Sequence, residues 1–218
     1  MVAPRLRKPL VLQVANQEPA ADLSIEEHGF DLASRTVSEV PFRYATFDQC
    51  LSPATAHHAL RWFETAAPWN HVETDFYEQN EFSCWDAEGP EAAFLTSDRL
   101  VGGLREELEA LFGCPLRPDA TVVAHRLVPG HRIGIHNDHL EDGETHRFVI
   151  QLNRGLSDTD GGFFMLFNSR DASDIHAIFR PTHLSGFAFE ISPVSYHAIS
   201  QMHSNVRYSI VYSFFGAR

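Results

Sequence analysis

Lysine is nearly absent from the 218 residues: Lys8 is the only one, and every other basic residue is an arginine. A Walker A phosphate-binding loop and a Schiff-base catalytic centre both need a lysine, so both are close to excluded. Positive charge is also scarce, because 17 basic residues stand against 29 acidic ones and the formal charge is −12. A surface that binds nucleic acid has net positive potential, so we expect no nucleic-acid partner.

Cysteines and long apolar runs are also few. Cys50, Cys84 and Cys114 are widely spaced and form no CxxC pair, so they indicate neither a disulfide framework nor a structural zinc site. No apolar run approaches the ~18 residues of a membrane span. The apolar stretch that follows the basic residues near the start is interrupted by Gln13 and is not that of a signal peptide. We expect a soluble, cytoplasmic protein without a membrane partner.

The composition is that of a soluble globular protein, with 44% hydrophobic and 21% charged residues. Residues 1–36 have little periodicity and are interpreted as a partly ordered lead-in, and 37–218 as a single domain. Within that domain, 37–118 is expected to form a helical support and a covering segment. Residues 119–218 are expected to form a β core, because short apolar runs alternate there with glycine and polar clusters. These runs are 121–128, 147–153, 162–168, 175–180, 186–191 and 206–215.

Two helices are predicted within the support. Ser52 followed by Pro53 is a capping serine with proline in the first turn, and apolar residues follow at helical spacing. A second helix is predicted from Thr96 or Ser97, with leucines recurring every four residues until Gly113 ends it. The fold class is therefore mainly β with N-terminal helices.

The stretch from Trp62 to Asp98 contains nine carboxylates, all three tryptophans and no arginine or lysine. A solvated acidic loop with a few anchoring aromatic residues is the simpler interpretation. The alternative is a segment that covers a substrate.

His136, Asn137 and Asp138 form a His-x-Asp triplet, which a chain with 13 histidines contains about once by chance. If the segment is extended, His136 and Asp138 project to one face of a strand. A distant histidine would complete a 2-His-1-carboxylate triad, which leaves positions open on Fe(II). His197, after a strong strand, is the best candidate.

The last predicted strand places Arg207 and Ser209 on one face with Val211 and Ser213. The other face is apolar or aromatic and comprises Tyr208, Ile210, Tyr212 and Phe214. A buried guanidinium needs an anionic partner, and a carboxylate matches its two-pronged geometry. A dicarboxylate cosubstrate would supply one.

In this part of the chain, at about 120–215, the sequence resembles the Fe(II)/2-oxoglutarate-dependent dioxygenases, in particular their prolyl-hydroxylase-like branch. The resemblance depends on the joint order and spacing of several short elements. These are Gly130 six residues before His136, Arg147–Asn153 ending in Leu-Asn, Gly161–Phe164, Pro181–Phe189, and His197 followed by Arg207 and Ser209.

The resemblance implies a double-stranded β-helix core of the jelly-roll or cupin-like kind. It implies that His136, Asp138 and His197 bind Fe(II), and that Arg207 and Ser209 hold 2-oxoglutarate. Gln151 stands where the branch often has a tyrosine that contacts 2-oxoglutarate, and an amide can serve as that donor. The implied reaction uses O2 to hydroxylate an unactivated C–H bond and converts 2-oxoglutarate to succinate and CO2.

The substrate is expected to be a small molecule, either an amino acid or a natural product derived from one or from a peptide. The acidic stretch with Trp85 would attract a cation, and Arg126 and Arg147, near the metal strands, would hold a carboxylate. A peptidyl prolyl-type hydroxylase is the alternative, although His125-Arg126-Leu127 replaces a tyrosine common in that branch. A cupin-like metal- or ligand-binding protein without oxygenase activity is a further one.

Overall fold

The computed structural model describes residues 30–217, so most of the predicted lead-in lies outside the described residues. Strand β1 (Arg35–Ser38) crosses the predicted boundary at residue 36 and pairs antiparallel with β2 (Tyr44–Phe47). The described sheet thus begins at the end of the segment interpreted as a lead-in. The sequence of β1 carries no strand signal, because three of its four residues are exposed and show no apolar alternation.

In the described part of the chain, three helices precede the long strands. Helix α1 (Pro53–Thr65) begins where Ser52 Oγ accepts a hydrogen bond from the backbone N–H of Thr55. Helix α2 (Pro90–Leu95) is short, and helix α3 (Asp98–Phe112) is capped by Ser97. Helix α3 ends at Gly113, whose φ of 69° is left-handed. Both predicted helices thus begin at the predicted capping serines, and α3 also ends at the predicted glycine.

The remaining strands of the described chain are β3 (Asn70–Glu73), β4 (Tyr77–Ser83), β5 (Leu116–Leu127), β6 (Arg132–His136), β7 (His146–Gln151), β8 (Phe164–Phe167), β9 (Ile175–Phe179), β10 (Gly186–Glu190), β11 (His197–Ile199) and β12 (Arg207–Gly216). They form one antiparallel sheet in the order β1-β2-β10-β7-β12-β5-β4-β6-β11-β8-β9, with β3 paired to β4. The prediction of a mainly β fold is confirmed.

The sheet curls back on itself. Strands β8 and β10 are far apart in the strand order, yet the rings of Phe164 and Phe187 lie 4.6 Å apart between centroids. A smaller apolar core fills the interior of the curl, and it includes Val149 and Val211. A larger core lies between the helices and the outer face of the sheet.

Strand β12 connects the two cores because its side chains alternate. Ile210 and Tyr212 lie in the larger core, and Arg207, Ser209 and Val211 face the interior of the curl. This is the alternation that the sequence predicts.

The acidic stretch from Trp62 to Asp98 is not a loop. It contains β3, β4 and α2, and β4 pairs with both β5 and β6. Gln79 and Asn80 of β4 are buried polar residues, so the apolar alternation that marks a strand is missing from its sequence. The stretch supplies a wall of the curled interior.

All three cysteines are free thiols, and Cys50 and Cys84 are buried. No helix in the described part of the chain is long and apolar enough to cross a membrane.

Candidate metal centre

His136 and His197 face each other across two paired strands. They are directly opposite in the register of β6 and β11, and their ring centroids lie 4.2 Å apart. Asp138 reaches both rings: its Oδ1 is 3.3 Å from His136 Nε2, and its Oδ2 is 3.1 Å from His197 Nε2. The structure therefore brings together the three predicted ligands, with one ligand atom of each within 4.8 Å of the others.

Strand alternation was expected to bring Asp138 to the site, but the structure brings it there by a turn. Strand β6 ends at His136, and Asp138 has a left-handed φ of 57°, which aspartate tolerates better than most residues. Two hydrogen bonds between Asn137 and residues 193–195 fix the turn. The Asn137 side chain donates to Pro193 O over 2.9 Å, and Ser195 Oγ donates to Asn137 O over 2.9 Å.

Backbone carbonyls orient both imidazoles. Nδ1 of His136 lies 2.8 Å from Gly134 O, and Nδ1 of His197 lies 2.8 Å from Ser195 O. A proton on each Nδ1 leaves the Nε2 lone pair free toward Asp138. Burial and the neighbouring His136 lower the pKa of His197, which favours its neutral, ligating form.

Asp138 is held as a carboxylate. Burial acts to raise its pKa, but the contacts with His136, His197 and Arg147 outweigh burial, and the net shift is downward. Two neutral imidazoles and one carboxylate are the donor set of non-haem Fe(II) sites with open coordination positions. The residues therefore fit the metal that the resemblance implies.

Arg147 is engaged with the metal ligand. It donates to Asp138 Oδ2, to Glu144 Oε2 over 2.5 Å and to Ser213 Oγ over 3.1 Å. Although Arg147 lines the cavity beside the triad, each of its three guanidinium nitrogens donates to one of these partners. Its position is better suited to orienting Asp138 than to holding a substrate carboxylate, the role predicted from the sequence.

Arg207 is 1% exposed. Within residues 30–217, no carboxylate lies within 4 Å of its guanidinium, and its Nε has no hydrogen-bond partner. One terminal nitrogen donates to Ser209 Oγ over 3.3 Å. Burial lowers its pKa to about 10, so the side chain remains cationic at neutral pH. A buried cation without an anion fits the carboxylate of a cosubstrate.

A cavity of about 250 Å³ contains these groups. The apolar part of its wall includes Val149, Phe164, Phe189, Ile199 and Val211. A second group of lining residues was not predicted from the sequence, and it includes Phe76, Tyr77, Gln79, Glu81, His125 and Ile133. Alternation of Tyr77, Gln79 and Glu81 along β4 was the available signal, but polar side chains do not distinguish a cavity wall from a solvated face.

Glu81 is the carboxylate that the acidic stretch contributes to this cavity. Its Oε2 accepts a hydrogen bond from Gln79 Nε2 over 2.5 Å and lies 3.9 Å from His125 Nε2. Burial, and then the charges of Arg147 and Arg207, lower the pKa of His125 to about 3. His125 is therefore neutral at physiological pH and does not balance the charge of Glu81.

Three other predicted site residues lie outside this cavity lining. Gln151 is opposite Ser209 in the register but lines an adjoining cavity of about 400 Å³. The Arg126 guanidinium lies 5.0 Å from the centroid of the Trp69 ring. Trp85 is 51% exposed, and its indole N–H donates to a backbone carbonyl. Arg126 and Trp85 are thus not placed to contact a substrate beside the triad.

No protein-family model matches the sequence, and no curated protein does. Solved structures do match the fold. A prolyl-4-hydroxylase from Pseudomonas putida aligns over 80% of this chain and 93% of its own, with a TM-score of 0.65 and 15% identity. A prolyl hydroxylase from Trichoplax adhaerens, in complex with a peptide fragment of the hypoxia inducible factor oxygen degradation domain, aligns over 79% and 83%, with a TM-score of 0.64 and 15% identity.

An oxidoreductase of the 2OG-Fe(II) oxygenase family from Burkholderia pseudomallei covers 80% of this chain and 88% of its own, with a TM-score of 0.56 and 18% identity. These structures are similar to the chain over most of its length, and they share the mainly β architecture. The fold thus agrees with the resemblance that the motifs indicated: the chain has the fold of the Fe(II)/2-oxoglutarate oxygenases, including the prolyl hydroxylases.

Proposed function

We propose that this protein is an Fe(II)/2-oxoglutarate-dependent oxygenase that hydroxylates an unactivated C–H bond of a small molecule. The observation that carries the proposal is that Arg207 lines the same cavity as His136, Asp138 and His197. A cupin-like metal-binding protein without oxygenase activity would have no need for a buried, unpaired guanidinium beside its metal ligands. We take the curled sheet to be the double-stranded β-helix of this enzyme class.

The roles of the residues follow from their positions. His136, Asp138 and His197 would hold Fe(II), and Arg207 with Ser209 would bind the distal carboxylate of 2-oxoglutarate. Iron and 2-oxoglutarate supply the O2-dependent oxidation of the C–H bond, with succinate and CO2 as coproducts. The apolar wall of the cavity excludes water from the reacting centre. Gln151 lines the adjoining cavity and lies opposite Ser209 in the paired strand β12. It would therefore support the cosubstrate site indirectly, through β12.

We further propose that the substrate carries a cationic group, as an amino acid or an amino-acid-derived natural product does. Glu81 supports this because its carboxylate lines the cavity and has no cationic partner among the described residues. The arginines proposed for a substrate carboxylate give less support, since Arg147 is engaged with Asp138 and Arg126 stacks on Trp69. The amino group, more than the carboxylate, is therefore the expected recognition element.

A peptidyl hydroxylase is the second candidate. The fold comparison favours it, since the similar structures include prolyl hydroxylases and one was solved with a peptide. Phe76, 45% exposed and also part of the cavity lining, offers an apolar contact for a longer substrate. A peptide substrate would extend beyond the cavity mouth, whereas a free amino acid would not. The two substrate classes are therefore compared in one assay.

The experiment is a 2-oxoglutarate turnover assay with separate pools of free amino acids, amino-acid-derived metabolites and proline-containing peptides. Succinate formation and product mass are measured with Fe(II) and O2 present. Stimulation by the first or second pool, with a product 16 mass units heavier, is the expected result. Stimulation by the peptides alone would favour the peptidyl hydroxylase. No succinate from any pool or from uncoupled turnover would contradict the oxygenase proposal.

A further inference from the structure

A second group of metal-binding side chains lies outside the site described above. His71 is in β3, Glu78 is in β4, and His131 immediately precedes β6. Glu78 Oε1 is 3.5 Å from His131 Nε2 and 3.8 Å from His71 Nε2. One ligand atom of each of the three residues lies within 4.8 Å of the other two.

These separations suit a small tetrahedral cation. Zinc bonds of about 2.0–2.1 Å to histidine nitrogen and carboxylate oxygen place neighbouring ligand atoms about 3.4 Å apart. The separations of 3.5 and 3.8 Å from Glu78 require only small side-chain shifts to reach that value. The His71 side chain is 50% exposed, which leaves room for water as a fourth ligand.

His131 is the buried member of the group. Its side chain is 8% exposed, and its Nε2 is the ring nitrogen on the side of Glu78. The other ring nitrogen, Nδ1, has no hydrogen-bond partner among the described residues. A divalent cation between His131 and Glu78 would be bound through Nε2 of His131.

The backbone around His131 is fixed. Its N–H donates to Val128 O over 3.0 Å, and its carbonyl accepts from Met202 N–H over 2.9 Å. Glu78 lies opposite Arg132 in the register of β4 and β6. Backbone hydrogen bonds thus hold His131 and Glu78 in place. The pairing of β3 with β4 holds His71 beside them.

We propose that His71, Glu78 and His131 form a second divalent-metal site, of zinc-type chemistry, that ties the β3–β4 hairpin to the start of β6. The hairpin carries Glu81 and Tyr77, so a metal here would rigidify one wall of the substrate cavity. The site does not depend on the function proposed for the first centre, because none of its ligands belongs to that centre.

The test uses a variant without the first centre, His136→Ala/Asp138→Ala/His197→Ala, stripped of metal with a chelator. Zinc binding is measured by calorimetry and by metal analysis after gel filtration, and Co(II) is used as a visible probe of tetrahedral geometry. We expect a single equivalent of zinc and a tetrahedral Co(II) spectrum. Adding His71→Ala, at a position whose side chain is half-exposed, should abolish both.

The matched control is His176→Asn, which removes an exposed histidine on β9. It should leave binding unchanged. Glu78→Gln is a second variant, and it should also lose zinc while retaining the far-ultraviolet circular dichroism of the parent. Absence of zinc binding in the parent variant would overturn the proposal, as would zinc binding that survives both His71→Ala and Glu78→Gln. In full-length protein with the first centre intact, zinc should also slow proteolysis within residues 70–83. If zinc gives no such protection, the metal does not link the β3–β4 hairpin to β6.

Discussion

Arg147 donates a hydrogen bond to Asp138 Oδ2, the same oxygen that lies 3.1 Å from His197 Nε2. The carboxylate is thus oriented by an arginine that also contacts Glu144. An outer partner of this kind fixes a metal ligand in its binding orientation.

Replacing Arg147 with Met is therefore expected to weaken metal binding at the first centre by about 10- to 100-fold. The change removes all three side-chain hydrogen bonds of Arg147 while keeping an apolar stem of similar length. Anaerobic Fe(II) titration, or Mn(II) titration as a stable substitute, measures the effect. Arg180→Met is the control, because Arg180 makes a similar two-bond contact with Asp158 on the surface. Equal affinities in the two variants would show that Arg147 does not position Asp138.

Arg207→Lys tests the cosubstrate site. Lysine retains the charge but loses the planar fork, so we expect 2-oxoglutarate affinity to fall by about tenfold or more, which corresponds to ~1.4 kcal/mol. Fe(II) affinity should stay unchanged, which separates this effect from a general distortion. Ser209→Ala should give a smaller loss in the same direction. Unchanged 2-oxoglutarate affinity in Arg207→Lys would mean that another residue binds the carboxylate.

Gly162→Ala probes the packing behind Arg207. A Cβ at this position would lie 2.4 Å from Met202 Sδ and 3.0 Å from Arg207 Cδ, and the backbone φ is +71°. Gly155→Ala is a matched control, since its φ is +68° but nothing lies within 4 Å. Both variants should lose about 1–2 kcal/mol through the left-handed backbone. Only Gly162→Ala should lose more and bind 2-oxoglutarate more weakly. Chemical unfolding and titration compare them, and identical behaviour would contradict close packing against Arg207.

Glu81→Gln tests the proposed cation recognition. Loss of a charge-assisted contact should lower kcat/KM for an amine-bearing substrate by about tenfold or more, with little change for an uncharged analogue. Glu88→Gln removes an exposed carboxylate from the same acidic stretch and should have no effect. The salt dependence of KM should weaken in the Glu81 variant alone. If neither substrate distinguishes the two variants, Glu81 does not recognise a cation.

The sequence predicts the site best where strand alternation is strong. Strand β12 alternates between aromatic or aliphatic residues and residues such as Arg207 and Ser209, so its two faces could be assigned before the structure. The capping residues Ser52 and Ser97 likewise predict the helix starts because each provides a local hydrogen bond. In both cases the signal is local, and tertiary packing agrees with it.

Prediction fails where polar residues are buried. Strand β4 carries Gln79 and Asn80 inside the protein, and only its pairing with distant strands reveals that it is a cavity wall. His125 and Arg126 are both polar neighbours on β5, so their sequence does not tell which one faces the cavity. The left-handed turn at Asp138 is likewise a property of contacts with residues near 193–195, which lie far along the chain.

The central claim is that His136, Asp138 and His197 bind Fe(II) in contact with 2-oxoglutarate held by Arg207. The most direct measurement is the visible absorption spectrum of the protein with Fe(II) and 2-oxoglutarate under anaerobic conditions. We predict a weak charge-transfer band for the unmodified protein that requires both additions. We also predict its loss in folded His197→Ala. A metal-loaded, folded protein without this band, or a band of full intensity in His197→Ala, would contradict the claim.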